Sequence, residues 1–147
     1  MVTVSDRQIS LSRTVAAPAG QIFDLLADPA RHPELDGSGS VRGSLSQGPR
    51  RLSLGARFGM RMRLGLPYTI QNTVVEFEEG RLIAWRHFSG HRWRWQLTDL
   101  GDGRTEVTET FDWSTAGSPR AIELLRFPGR NRRGIEATLD RLATRFG

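Results

Sequence analysis

The chain contains no cysteine and no lysine. The first absence excludes a disulfide framework, a thiolate nucleophile and a cysteine-ligated metal. The second places all 21 basic side chains on arginine, a bias that GC-rich coding explains better than function does. The pI near 11.2 is therefore weak ground for nucleic-acid binding, and no nucleic acid is expected as a partner. Long apolar runs are missing too. None approaches the roughly 20 residues that span a bilayer, so no stable membrane insertion is expected. The first residues are polar and strand-like, unlike a signal peptide, which makes the cytoplasm the expected compartment. No linker, repeat or low-complexity tract interrupts the sequence. One domain spanning 1–147 is expected, long enough to bury about 68–70% of its unfolded surface without staples.

What the chain does have is alternation. Trp93, Trp95 and Leu97 alternate with Arg92, Arg94 and Gln96. Phe58, Met60, Met62 and Leu64 alternate with Gly59, Arg61, Arg63 and Gly65. Val107, Phe111 and Trp113 share one phase, against Glu106, Thr108, Thr110 and Asp112. Period two marks strands with one wet and one buried face. Here the buried face holds large side chains and three placed polar ones, Asn72, His87 and Glu109. A broad aromatic surface with a few polar groups is how a small-molecule pocket is built. The expected partner is a hydrophobic small molecule.

The element order is strand, two short helices, six strands, long helix. Residues 7–16 form the first strand. Pro18 opens a helix over 21–28 with Ile22, Phe23, Leu25 and Leu26 on its apolar side. Pro29 ends it, and 30–35 form a second short helix. Asp36-Gly37-Ser38-Gly39 is turn chemistry. Between Val41 and Thr115, Gln47-Gly48-Pro49, Gly65-Leu66-Pro67, Glu79-Gly80, Ser89-Gly90 and Gly101-Asp102-Gly103 separate about six strands. Ser118-Pro119 starts the C-terminal helix, where Ile135, Leu139, Leu142 and Phe146 recur at helical spacing and Pro128-Gly129 should kink or interrupt it. Short connections imply an antiparallel meander of seven strands, whose apolar face only the long helix can cover.

Hairpin parity yields a register in which inward residues face inward residues. One row runs Met60, Asn72, His87, Trp93, Trp113. The next runs Phe58, Val74, Trp85, Trp95, Phe111. A third sets Glu109 beside Leu97 and Ile83. His87 with Asn72 either satisfies itself in a packed core or orients a ligand carbonyl, with His87 as a proton shuttle. Glu109 either forms an ion pair with Arg13, contacts ligand, or acts as a general acid or base. His32 and Asp36 share a helical face, but two ligands make no metal site. Ser38 lacks an activating base. Neither a metal nor a cofactor is expected. Arg61, Arg63, Arg86, Arg92 and Arg94 fall on the outer face, relieved by Glu106 and Asp112 or docked on an anionic partner. Arg130, Arg132 and Arg133 form a basic rim near the cavity mouth.

The stretches SRTVAAPAGQIFDLLADPARHPELDGSGSV, LSLGARFGMRMRLG, VVEFEEGRLIAWRH, LGDGRTEVTETFDW and RFPGRNRRGIEATLDRLA resemble the SRPBCC superfamily, also called START-like or Bet v 1-like. Within it the chain is most similar to the bacterial polyketide cyclase/dehydrase branch. The resemblance covers nearly the whole chain and implies the α+β helix-grip fold with a hydrophobic cavity between sheet and C-terminal helix. Leu35 stands where many relatives carry tryptophan, which implies a different rim there. Fold does not imply catalysis. The leading expectation is a binder of a lipid or polyketide-like molecule. Its ligand-contacting residues would be Phe58, Met60, Met62, Tyr68, Asn72, Trp85, His87, Trp93, Trp95, Glu109, Phe111 and Trp113. The alternatives are an aromatase/cyclase using His87 and Glu109 as catalytic groups, and a protein-interaction module of the toxin-antitoxin kind. Either a monomer or a homodimer is compatible with the sequence.

Overall fold

The computed structural model describes residues 2–5, 7–37, 41–44, 51–87 and 90–146. One antiparallel sheet of eight strands carries the domain. The strands are β1 (Val2–Ser5), β2 (Gln8–Val15), β3 (Val41–Ser44), β4 (Arg57–Leu64), β5 (Leu66–Glu78), β6 (Leu82–His87), β7 (Arg92–Gly101) and β8 (Arg104–Asp112). Their order across the sheet is β1-β2-β8-β7-β6-β5-β4-β3. The six strands expected after Val41 are present. The eighth strand is the correction to the expected seven: β1 folds back on β2, with Arg7 at a positive φ of 62° beside the reversal. The turns at Gln47-Gly48-Pro49, and Ser38, Gly39 and Ser89 of two other turns, lie outside the described residues.

The helices follow their sequence signals closely. Pro18 is the N-cap of α1 (Ala19–Leu26), which buries Ile22, Phe23, Leu25 and Leu26. A single 3-10 turn, Pro29–Arg31, leads into α2 (His32–Leu35). At the C-terminus, α3 (Pro119–Leu124) and α4 (Phe127–Phe146) are separate. The expected kink at Pro128-Gly129 is absent. The break falls earlier, at Arg126, whose φ is 61°. Pro128 then occupies the first turn of α4, where its missing N–H costs nothing. Helix α4 buries Ile135, Thr138, Leu139 and Leu142 and packs on β2 and β8. No described helix is long and apolar enough to cross a membrane.

The register keeps the expected parity but is displaced by two residues in three hairpins. Asn72 does pair with His87, and Val74 with Trp85. However, Met60 faces Ile70, Trp93 faces Trp85, and Glu109 faces Trp95 rather than Leu97. In the first case the reversal needs only Gly65, at φ 77°, so β4 and β5 run up to Leu64 and Leu66. In the second, the backbone N–H of His87 donates to the His91 carbonyl at 3.0 Å, which sets the reversal one residue earlier. Because a two-residue slip conserves facing, every inward side chain stays inward. On the outer face, Ser10 and Ser12 pair with Thr110 and Thr108 through hydroxyls at 2.7 Å. Glu76 accepts from Arg94 at 2.8 Å and from Arg92 at 3.2 Å, and Asp112 lies 3.6 Å from Arg94. Arg92 and Arg94 are thus relieved by Glu76 and Asp112.

Candidate functional site

Between the sheet and helices α2 and α4 lies a cavity of about 140 Å³, partly open to solvent. Strands β4 to β8 supply Phe58, Met60, Met62, Ile70, Asn72, Trp85, Trp93, Trp95 and Glu109. The opposite wall comes from His32, Leu35 and Asp36 of the α2 region and from Asn131, Ile135 and Thr138 of α4. An apolar cavity of about 150 Å³ accepts a benzene ring. This one therefore takes a single ring, a short chain, or one end of a longer molecule.

The aromatic wall is rigid because its rings brace one another. Phe58 meets Trp85 edge-on at 5.5 Å, and Trp93 meets Phe111 at 4.9 Å. His32 stacks on Trp85 at 4.9 Å, with an interplanar angle of 23°. Its Nε2–H donates to the Leu26 carbonyl at 2.8 Å. Burial pushes the His32 pKa below that of a free imidazole, and the bond to Leu26 only partly opposes this. His32 is therefore a neutral wall group at pH 7.

Glu109 is the outlier. Its side chain is 6% exposed, and its Oε1 has no hydrogen-bond partner among the described residues. Burial raises its pKa well above the usual carboxylate value, and the Asp36 carboxylate acts in the same direction. The expected ion pair with Arg13 does not form. Arg13 faces Val107 across the β2–β8 ladder and pairs with Asp140 of α4 instead. Leu11 is the residue opposite Glu109, so no guanidinium reaches it from β2.

Asp36 does cap the turn, accepting from the Val41 N–H at 3.1 Å, and it also lines the cavity. The Gly37 N–H donates to Thr138 Oγ1 at 2.9 Å, which ties the α2 turn to α4. Thr138 in turn donates to the Gly134 carbonyl at 2.8 Å. Among the described residues, no group of three or more His, Asp or Glu side chains is placed to hold a metal.

Of the twelve residues expected to contact a ligand, eight border this cavity: Phe58, Met60, Met62, Asn72, Trp85, Trp93, Trp95 and Glu109. Four do not. His87 stacks on His91 at 4.7 Å, beyond its partner Asn72. Phe111 is buried behind Trp93 and stacks on Trp113, whose indole N–H donates to Glu123 at 3.1 Å. Tyr68 is 39% exposed near the hairpin tip. They share the phase of the lining residues but lie off the cavity wall. His32, Asp36 and Thr138 were missed. Thr138 carried a signal, being three residues after Ile135 on the buried stripe of α4. The roles of His32 and Asp36 depend on how the α2 segment meets the sheet.

A family model described as "Polyketide cyclase / dehydrase and lipid transport" matches residues 6–147. The chain is 44% identical over 153 residues to "Uncharacterized protein Rv0088" of Mycobacterium tuberculosis, covering 99% of this chain and 68% of the relative. Among solved structures it resembles a protein from Arthrobacter aurescens with a TM-score of 0.76 at 11% identity, over 98% of this chain and 91% of that one. It also resembles protein Ms6760 from Mycobacterium smegmatis, with a TM-score of 0.70 at 16% identity, over 98% and 96% of the two chains. The AHSA1-like protein from Aeromonas hydrophila gives 0.67 at 18% identity, over 93% and 90%. The structures speak to the fold and the family model to nearly the whole length, and together they place the chain in the SRPBCC superfamily, in its polyketide cyclase/dehydrase and lipid transport family.

Proposed function

We propose that the protein binds a hydrophobic small molecule, of lipid or polyketide-like character, in the cavity between its sheet and α4. The observation that carries this reading is the wall itself. Trp85, Trp93, Trp95, Phe58, Met60 and Met62 converge on space that the protein's own atoms leave empty. Apolar side chains facing a void forgo dispersion contacts, and a guest of matching shape restores them. The two methionines add walls that adapt to a flexible guest. Membership of a family that includes lipid transport supports the same reading. The aromatase/cyclase alternative has less geometric support, because only Glu109 of its two acid–base candidates borders the cavity.

The test uses tryptophan emission. Three of the four tryptophans line the cavity, so a bound guest should shift or quench native fluorescence saturably. Mass spectrometry of material that co-purifies would then identify the molecule. A flat fluorescence response across a broad panel of hydrophobic compounds at high concentration contradicts the proposal. Turnover of a poly-ketone substrate, abolished by Glu109→Gln with product binding retained, would instead favour the cyclase.

A further inference from the structure

The chain has 21 arginines, yet none of them lines the cavity among the described residues. The ionisable groups on the wall are Glu109, Asp36 and His32. The imidazole is neutral for the reason given above. A ligand with an anionic headgroup would therefore meet two carboxyl groups and no cation.

Glu109 adds a second, independent observation. It is more than nine-tenths buried, it borders the empty space, and its Oε1 accepts nothing from the described residues. Leu11 and Trp95 flank it across the two ladders. Helix α4 presents Asn131, Ile135 and Thr138 to the same space, and Asp36 and His32 come from the α2 segment. Thr138 is already engaged with Gly37 and Gly134. The groups packed around the cavity thus leave the acceptor to whatever enters.

The third observation is the aromatic wall. Trp85, Trp93, Trp95 and Phe58 present π-systems to the cavity, and tryptophan faces attract cations best. A desolvated cation over such a ring is held more strongly than an exposed one.

We infer that the ligand is a hydrophobic amine, whose protonated nitrogen sits between the tryptophan faces and the Glu109 carboxyl. This rests on the reading of the cavity as a ligand site. A neutral alcohol satisfies Oε1 but leaves the ring electrostatics unused. A carboxylate is repelled. An amine uses both features.

Benzylamine, benzyl alcohol and benzoate share one ring of the size the cavity takes, and they differ in charge. Each is titrated into the intact chain at pH 6 by calorimetry. The amine should bind roughly tenfold tighter than the alcohol, and benzoate should not bind. Glu109→Gln should abolish the preference for the amine over the alcohol. Equal affinity for amine and alcohol, or binding of benzoate, overturns the inference and leaves the cavity reading standing. If none of the three binds, the cavity reading falls and takes the inference with it. Should the variant fail to fold, the native protein decides by the amine-to-alcohol ratio.

Discussion

Glu109 lies directly across the β7–β8 ladder from Trp95, and one of its oxygens is left without a partner among the described residues. A buried polar atom left unmade costs about 1–3 kcal/mol. The folded-state pKa of Glu109 is raised, so the folded protein holds this proton more tightly than the unfolded chain. Its contribution to stability is full below pH 4.5 and is lost as pH rises through the folded pKa. Glu109→Met removes the group at similar volume. The variant should gain about 1–3 kcal/mol at pH 8, with less gain at pH 4. Urea midpoints at the two pH values measure this. A loss of stability at pH 8 would mean that Glu109 is satisfied by a group not identified above.

The stacked pair His87 and His91 works in the opposite sense. Burial, followed by the nearby His87 charge, lowers the pKa of His91 to about 4. The folded state resists a proton that the unfolded chain accepts near 6.5, so this contribution is present above 6.5 and fades as pH falls towards 4. His91→Gln should flatten the fall in urea midpoint between pH 7 and pH 4.5. A slope identical to that of the native chain would show that His91 is not the group responsible.

How far the chain could be read from sequence follows from these same residues. Period-two phase put Glu109, Trp85 and Asn72 on the inner face, because facing depends only on parity. Register was harder. Gly65-Leu66-Pro67 read as the turn, whereas glycine's positive φ lets Gly65 alone reverse the chain. Slips of two in the β4–β5, β6–β7 and β7–β8 hairpins kept the face but changed the rows, while His87, still opposite Asn72, lies off the cavity wall. The wall supplied by His32 and Asp36 was not legible, since a four-residue helix carries no period long enough to reveal its inward side. The N-terminal hairpin was missed because Val2–Ser5 is too short to show alternation.

Gly37 sits where the α2 turn crosses α4. A Cβ there would fall 2.6 Å from both the Ala137 Cβ and the Thr138 backbone nitrogen. The obstacle includes helix backbone, which cannot rotate aside. Gly37→Ala should cost about 1–3 kcal/mol through overpacking, and it should weaken the bond from Gly37 N–H to Thr138. Thermal unfolding reads the cost. An unchanged midpoint would show that the crossing is looser than this contact requires.

Glu76 separates cations that the sheet would otherwise set side by side. Arg86 and Arg92 face each other across β6 and β7, a placement unfavourable for like charges. Glu76 bonds Arg92 and Arg94 from β5, and the Arg94 guanidinium chiefly holds its pKa below the usual carboxylate value. Glu76→Gln should therefore cost roughly 1–3 kcal/mol at pH 7. The deficit should shrink as pH falls below 4.5, where the unfolded chain takes up the proton, and vanish once pH has fallen through the lower folded pKa. A deficit that persists undiminished at pH 3 would assign the cost to packing instead.

Met60 offers the most direct separation of packing from function. It is 2% exposed, faces Ile70 across the β4–β5 hairpin and points to the cavity. In a filled core, enlarging it to tryptophan would force neighbours aside at a cost of about 1–3 kcal/mol. In a cavity able to admit a ring, the added indole has somewhere to go. Met60→Trp should keep the native urea midpoint within about 1 kcal/mol while abolishing ligand-induced changes in fluorescence. Loss of stability without loss of binding would mean that the guest sits elsewhere. Retention of both would mean that the indole points away from the space between the sheet and α4.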